Sequence, residues 1–231
     1  MEIPGENING VMERTSALFP LSFYEIFKGL MDRVLSLVAI ILLSPVLILI
    51  AICVRLDSQG GAIYRREQVG KNGRNFIAYK YRTMRVNNDD SEYKAYLVKY
   101  IKENKPYKLD ENGQALYKVV NDPRVTRVGS LLRKTNLDEL PQLFNVLKGE
   151  MSFVGPRPDI PFSVNMYQDW QYKRLAVIPG VTGLWQVSGR KGLSFEDMIR
   201  LDLEYIEKRS LLLDAWIALR TVAIIFKGDG S

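Results

Sequence analysis

The sequence has no histidine and a single cysteine among its 231 residues. Without histidine, acid, base or nucleophilic chemistry must come from carboxylates, amines or hydroxyls. The lone Cys53 excludes an internal disulfide, and no imidazole is present to build a Cys/His zinc site. Cys53 lies in an apolar run, where inert packing is its expected role. A metal here would be a hard, oxygen-liganded ion such as Mg²⁺. No cleavable signal peptide is expected in these residues, because the apolar run begins too late and lacks a small-residue cleavage site. The glycine-rich stretch near residue 180 is not a Walker loop, since no Gly-Lys-Ser/Thr follows it.

Charge is absent from residues 34 to 54, and that run is long enough to span a bilayer. Ser44-Pro45 sits at its middle, where proline removes a helix hydrogen bond. Lys28 and Arg33 precede the run, and Arg55, Arg65 and Arg66 follow it. Positive residues mark the cytoplasmic side, so both flanks ask for the same side. We therefore expect residues 21–56 to form a re-entrant helix-break-helix hairpin turning at Ser44 and Pro45. Each arm of about 11 residues would be about 16 Å long, roughly half the hydrocarbon thickness.

Overall the chain carries a net charge of +6, which favours anionic partners such as acidic lipid or phosphorylated metabolites. Residues 1–20 read as a weakly ordered arm and residues 57–231 as the domain that follows the apolar element. The runs Ala62–Val69 and Phe76–Arg82 around Asn72-Gly73 predict a β-hairpin. Alternation places Lys80 and Arg82 on one face of it. Residues 87–123 are a polar surface excursion with one helix; no chemistry and no nucleic-acid binding is expected of it.

Carboxylates Asp138 and Glu139 are adjacent, between Arg133 and the Gly155-Pro156-Arg157-Pro158 segment. Asn136 is expected as an N-cap that places both carboxylates at a helix start, where the dipole favours their ionisation. The two prolines restrict the backbone around Arg157, and a rigid arginine suits bidentate phosphate recognition. The loop Pro179–Arg190 offers hydroxyl, amide and guanidinium groups. Two helices, about Ser194–Arg209 and Leu212–Lys227, end the chain, with Ser194 and Asp197 as a capping-box variant. The last is apolar around much of its circumference, so core packing and the membrane interface are equally open to it.

From about Phe27 to Phe226 these residues resemble the monotopic phosphoglycosyl transferases, bacterial sugar transferases acting on polyprenyl phosphate. The likeness rests on the apolar hairpin with Ser44-Pro45, Tyr79–Met84, Leu137–Gln142, Ser152–Pro158 and Pro179–Gly183, in that order. It implies an α+β, mostly helical enzyme with interfacial amphipathic helices, on the cytoplasmic face of the bacterial inner membrane. The implied reaction moves a phospho-sugar from a UDP-sugar to undecaprenyl phosphate and releases UMP, a first membrane step in exopolysaccharide or glycoconjugate biosynthesis. Asp138 would be the covalent nucleophile, with Asp138 and Glu139 around Mg²⁺. Lys80, Arg82, Arg133 and Arg157 would bind phosphate, and Thr182, Gln186 and Arg190 the nucleotide or sugar. The chain would be a small member or the catalytic portion of a larger one, and a homodimer is left open. The rival reading is a basic, membrane-docked module that binds acidic lipid without catalysis.

Overall fold

A computed structural model of the chain describes residues 23–86, 91–109, 115–116, 122–189 and 193–226. The arm expected at residues 1–20 lies outside them. The fold is mostly helical, with small sheets. Its first element is a helix of 35 residues, α1 (Phe23–Asp57), and it is the one described helix long and apolar enough to cross a membrane. The expected break does not interrupt it: helical structure runs on through Pro45. Pro45 has no N–H for the carbonyl of Ile41, four residues back, and the Ser44 hydroxyl donates to that carbonyl instead at 2.8 Å. Ser44-Pro45 is thus a repaired helix step.

Both ends of α1 bind the same body. At the start, Tyr24 donates to Asp214 at 2.7 Å, Lys28 pairs with Asp214 at 2.8 Å, and Glu25 pairs with Arg209 at 3.0 Å. One turn on, Asp32 accepts from Ser152 at 2.6 Å, and Ser36 donates to the Leu143 carbonyl at 2.6 Å. At the far end Tyr81 donates to the Leu47 carbonyl at 2.7 Å, and Asp57 accepts from the Val128 amide at 2.9 Å. Between these anchors Leu37, Val38, Ile41, Leu42 and Val46 are exposed, an apolar stretch with no protein against it.

The predicted hairpin is present as β1 (Ile63–Val69) antiparallel to β2 (Asn75–Tyr81), with Tyr64 opposite Lys80 and Arg66 opposite Ala78. Asn72 and Gly73 take φ of 55° and 71° at its turn, which explains the Asn-Gly signal. Helix α2 (Ser91–Glu103) lies in the excursion, yet it is not merely a surface feature. It buries Tyr96, Leu97, Tyr100 and Ile101 against Tyr167, Tyr172 and Phe195, including an edge-on Tyr100–Phe195 contact at 5.5 Å.

Then come α3 (Arg127–Thr135), a 3₁₀ turn (Leu137–Gln142) and α4 (Leu143–Lys148). The Thr126 side chain caps α3 by accepting from the Gly129 amide at 3.0 Å. Strand β3 (Ser152–Val154) pairs in parallel with β4 (Gly180–Thr182). Between them lie the short α5 (Pro161–Val164) and a 3₁₀ turn (Gln171–Ala176). The chain continues through α6 (Leu184–Ser188), α7 (Phe195–Lys208) and α8 (Leu211–Phe226). Ser194 caps α7 as expected, accepting from the Asp197 amide at 3.2 Å. Helix α8 packs into the core through Ile217, which is fully buried, while Leu212 is 84% and Leu219 71% exposed.

Candidate active site

The dyad sits in the first turn of the 3₁₀ segment Leu137–Gln142, which leads directly into α4. Asn136 stands at the expected N-cap position of that segment, but with φ 55° it is also the left-handed C-cap of α3, and its side chain makes no cap bond. The turn is pressed between α3, α4 and β2. Buried Asn145 on α4 holds it there by mimicking a strand: it accepts from the Tyr79 amide at 3.1 Å and donates to the Ile77 carbonyl at 2.7 Å. Lys80 then meets Glu139 at 2.6 Å.

Glu139 is clamped. Arg157 reaches both of its carboxylate oxygens, Nη1 at 3.2 Å and Nη2 closer still. Burial works against its charge, but Arg157 and Lys80 outweigh that and hold the carboxyl well below the usual range. Arg157 is raised in turn, chiefly by Glu139.

Asp138 contrasts with its neighbour. Among the described residues no hydrogen bond or ion pair engages its carboxylate, which is only 9% exposed. Burial pushes its pKa up, Lys80 pulls it down, and adjacent Glu139 pushes it up again. The site therefore pairs one fixed, fully ionised carboxylate with one desolvated and unclamped carboxylate, the state expected of a nucleophile. As metal donors the two offer a pair of adjacent oxygen groups, and among the described residues no cluster of three acidic, Cys or His groups exists. That set suits Mg²⁺ completed by water and substrate phosphates, not an ion held by protein alone.

Arg133, in the last turn of α3, is a neighbour of Asp138 and donates to Thr83 at 2.9 Å. Burial lowers its pKa, with Asp138 acting in the opposite direction. The close fit of α3 here requires Gly129, since a Cβ at that position would collide with the Thr83 backbone carbonyl. A second close approach joins the two glycine motifs. The Gly155 amide donates to the Thr182 carbonyl and the Gly180 amide to the Pro156 carbonyl, each at 2.9 Å. A Cβ on Gly180 would strike the Gly155 amide. This stitching brings Arg157 beside Thr182.

Together they line a cleft of about 320 Å³, whose polar groups are Asn136, Glu139, Arg157, Thr182, Gln186 and Thr221. Phe153, Val181, Trp185 and Ile225 supply apolar wall, a balance usual in ligand sites. Thr182 shares a 2.7 Å hydroxyl contact with Thr221 of α8. Lys80, Arg133, Arg157, Thr182 and Gln186 thus fall around or beside the dyad. Arg190 lies outside the described residues. Arg82 is not brought there: buried, it donates to the carbonyls of Ser58 at 2.7 Å and of Gln59, the loose end of α1. Strand β2 ends at Tyr81, so alternation no longer governs Arg82.

Sequence reasoning missed Arg174. Its buried guanidinium donates to the Arg157 carbonyl at 2.8 Å, to Asp202 at 2.5 Å and to the Tyr167 hydroxyl at 2.7 Å. Burial opposes its charge, but Tyr167, Asp202 and Asp159 raise it, while Asp202 is pushed up by burial to about 6. Arg174 braces the Arg157 segment from beneath.

A model of the bacterial sugar transferase family matches residues 23–228. The chain is 37% identical over 221 residues to "Exopolysaccharide production protein ExoY" of Sinorhizobium fredii, covering 96% of this chain and 94% of that one. It is 39% identical over 204 residues to "Undecaprenyl-phosphate galactose phosphotransferase" of Salmonella typhimurium, covering 88% and 41%. Likeness to "UDP-glucose:undecaprenyl-phosphate glucose-1-phosphate transferase" of Klebsiella pneumoniae is 38% over 232 residues, covering 96% and 44%. The chain thus spans nearly all of one kind of relative and less than half of the other two. It belongs to the bacterial sugar transferase family.

Proposed function

We propose that this chain transfers a phospho-sugar from a UDP-sugar to undecaprenyl phosphate. The observation that carries the reading is the asymmetric dyad: Asp138 desolvated and unclamped beside Glu139 fixed by two cations. Relatives whose names specify undecaprenyl-phosphate transfer of galactose or glucose phosphate support the substrate pair.

In the first step an Asp138 carboxylate oxygen attacks the β-phosphorus of the UDP-sugar. The bond from that phosphorus to the bridging oxygen breaks, and UMP leaves with that oxygen. An acyl phosphate carrying the sugar remains on Asp138. In the second step the phosphate oxygen of undecaprenyl phosphate attacks the same phosphorus, the bond to Asp138 breaks, and undecaprenyl-diphosphate-sugar leaves with the carboxylate restored. Lys80, Arg133 and Arg157 offset the repulsion between carboxylate and diphosphate. Glu139 keeps Lys80 and Arg157 oriented before substrate arrives. Asp138 and Glu139 would hold Mg²⁺ with substrate phosphate oxygens, and the ion would supply charge neutralisation.

Helix α1 is read as a re-entrant element. Anchors on both sides of its uncovered apolar stretch tie it to one body, and cationic residues flank both ends. On this reading the catalytic body rests on the cytoplasmic face, where a soluble nucleotide and a lipid phosphate can meet. Incubation with labelled UDP-galactose and UDP-glucose, undecaprenyl phosphate and Mg²⁺ tests the reading. UMP and a lipid-linked sugar diphosphate are the expected products, and a folded, membrane-bound sample that yields neither with any UDP-sugar supports the lipid-binding module instead.

A further inference from the structure

We propose that Arg66 and Tyr93, with Arg133 beside them, form a second phosphate-binding subsite next to the dyad. Strand register places Arg66 on the face of the hairpin that carries Lys80, because the pairs Tyr64–Lys80 and Arg66–Ala78 are neighbours of the same sidedness. The Arg66 guanidinium lies over the Tyr93 ring, 5.8 Å from its centroid. Tyr93 is half-buried in the first turn of α2, packed against the aromatic cluster, so a rigid platform holds both groups. Tyr93 is also near enough to Arg133 and Arg157 to act on both electrostatically. Three separate elements, β1, α2 and the end of α3, therefore converge on one point.

Charge explains why this point suits an anion. Lys80 and Arg157 already face Glu139. Among the described residues Arg66 has no carboxylate partner, and the Tyr93 hydroxyl makes no hydrogen bond, so a fork of donors and a hydroxyl remain for a ligand. Neither residue lines the 320 Å³ cleft. The inference rests on the function proposed above, in which two phosphate-bearing substrates must be held at one nucleophile. It also gives the polar excursion a task, since α2 exists within it.

The test measures UMP release by the full chain in lipid nanodiscs, varying UDP-sugar and undecaprenyl phosphate separately, for wild type, Arg66→Met, Arg66→Lys and Tyr93→Phe. Loss of a charged donor predicts a rise of about tenfold in KM for one substrate in Arg66→Met, with partial recovery in Arg66→Lys and a smaller rise in Tyr93→Phe. A rise confined to undecaprenyl phosphate assigns the lipid phosphate, and one confined to the UDP-sugar assigns the diphosphate. Unchanged KM for both substrates in active Arg66→Met and Tyr93→Phe overturns the subsite. Pyrophosphate binding by thermophoresis separates the two ideas: a wild type that releases no UMP sinks the function, while tenfold weaker pyrophosphate binding by Arg66→Met still upholds the subsite, and equal binding sinks it too.

Discussion

Asp138 and Glu139 are neighbours with opposite linkage to pH. The Asp138 carboxyl is raised, so it adds stability below its unfolded pKa and loses that as pH rises through the folded value. At neutral pH its charge is a burden on the fold. Asp138→Asn is therefore expected to raise the melting temperature in detergent by about 2 °C at about pH 7.5, with the gain gone near about pH 4. Glu139 is depressed, so its contribution is present above its unfolded pKa and is lost as pH falls toward the folded value. Glu139→Gln leaves Lys80 and Arg157 facing each other without a counter-charge and should lower stability by about 2 kcal/mol at neutral pH. Denaturant titration of both variants checks the pair of signs, and equal effects would refute the asymmetry. The dyad itself was legible in the sequence, because two adjacent carboxylates between arginines are conspicuous where histidine is absent. Its asymmetry was not, since it depends on which carboxylate Arg157 reaches from 18 residues away.

At the level of elements, the hairpin and its turn could be read directly, because Asn72-Gly73 favours the positive φ found there. The end of α1 could not. Alternation aimed Arg82 at the site, while carbonyls in the last turn of α1 and just past its end captured it. Arg174 was equally hidden, being a charge whose partners lie 7, 17 and 28 residues away in sequence. These contacts predict a separable effect. Arg174→Met alone strands Asp202 in the core and should cost about 3 kcal/mol. Combining it with Asp202→Leu should restore most of that stability but not activity, because the Arg157 carbonyl still lacks its donor. Recovery of wild-type turnover in the double variant would show that Arg174 does not position Arg157. Gly129→Ala is expected to push α3 off the Thr83 carbonyl and lower stability by about 2 kcal/mol, read as a shift of the denaturation midpoint.

For the molecule as a whole, the apolar run and its cationic flanks pointed to a membrane element, and α1 with its uncovered stretch bears out an apolar helix of spanning length. Continuity through Pro45 was not legible, because it turns on the Ser44 hydroxyl replacing the missing amide. The anchors on both sides of that stretch predict that cysteines placed at each end of α1 label from the same side of inverted vesicles. Labelling from opposite sides would require a spanning helix. The exposed face of α8 carries Leu212 and Leu219 as a further apolar surface on the same body.

The central claim is that Asp138 carries the phospho-sugar between two substrates. Its most direct test is incubation of the chain with UDP-sugar labelled in the sugar, with Mg²⁺ and without lipid acceptor, followed by mass measurement of the protein. Wild type should release UMP and retain a sugar phosphate on the peptide containing Asp138, and undecaprenyl phosphate should remove it; Asp138→Asn should do neither. UMP release by Asp138→Asn at the wild-type rate, or turnover that never leaves label on the protein, would contradict the account.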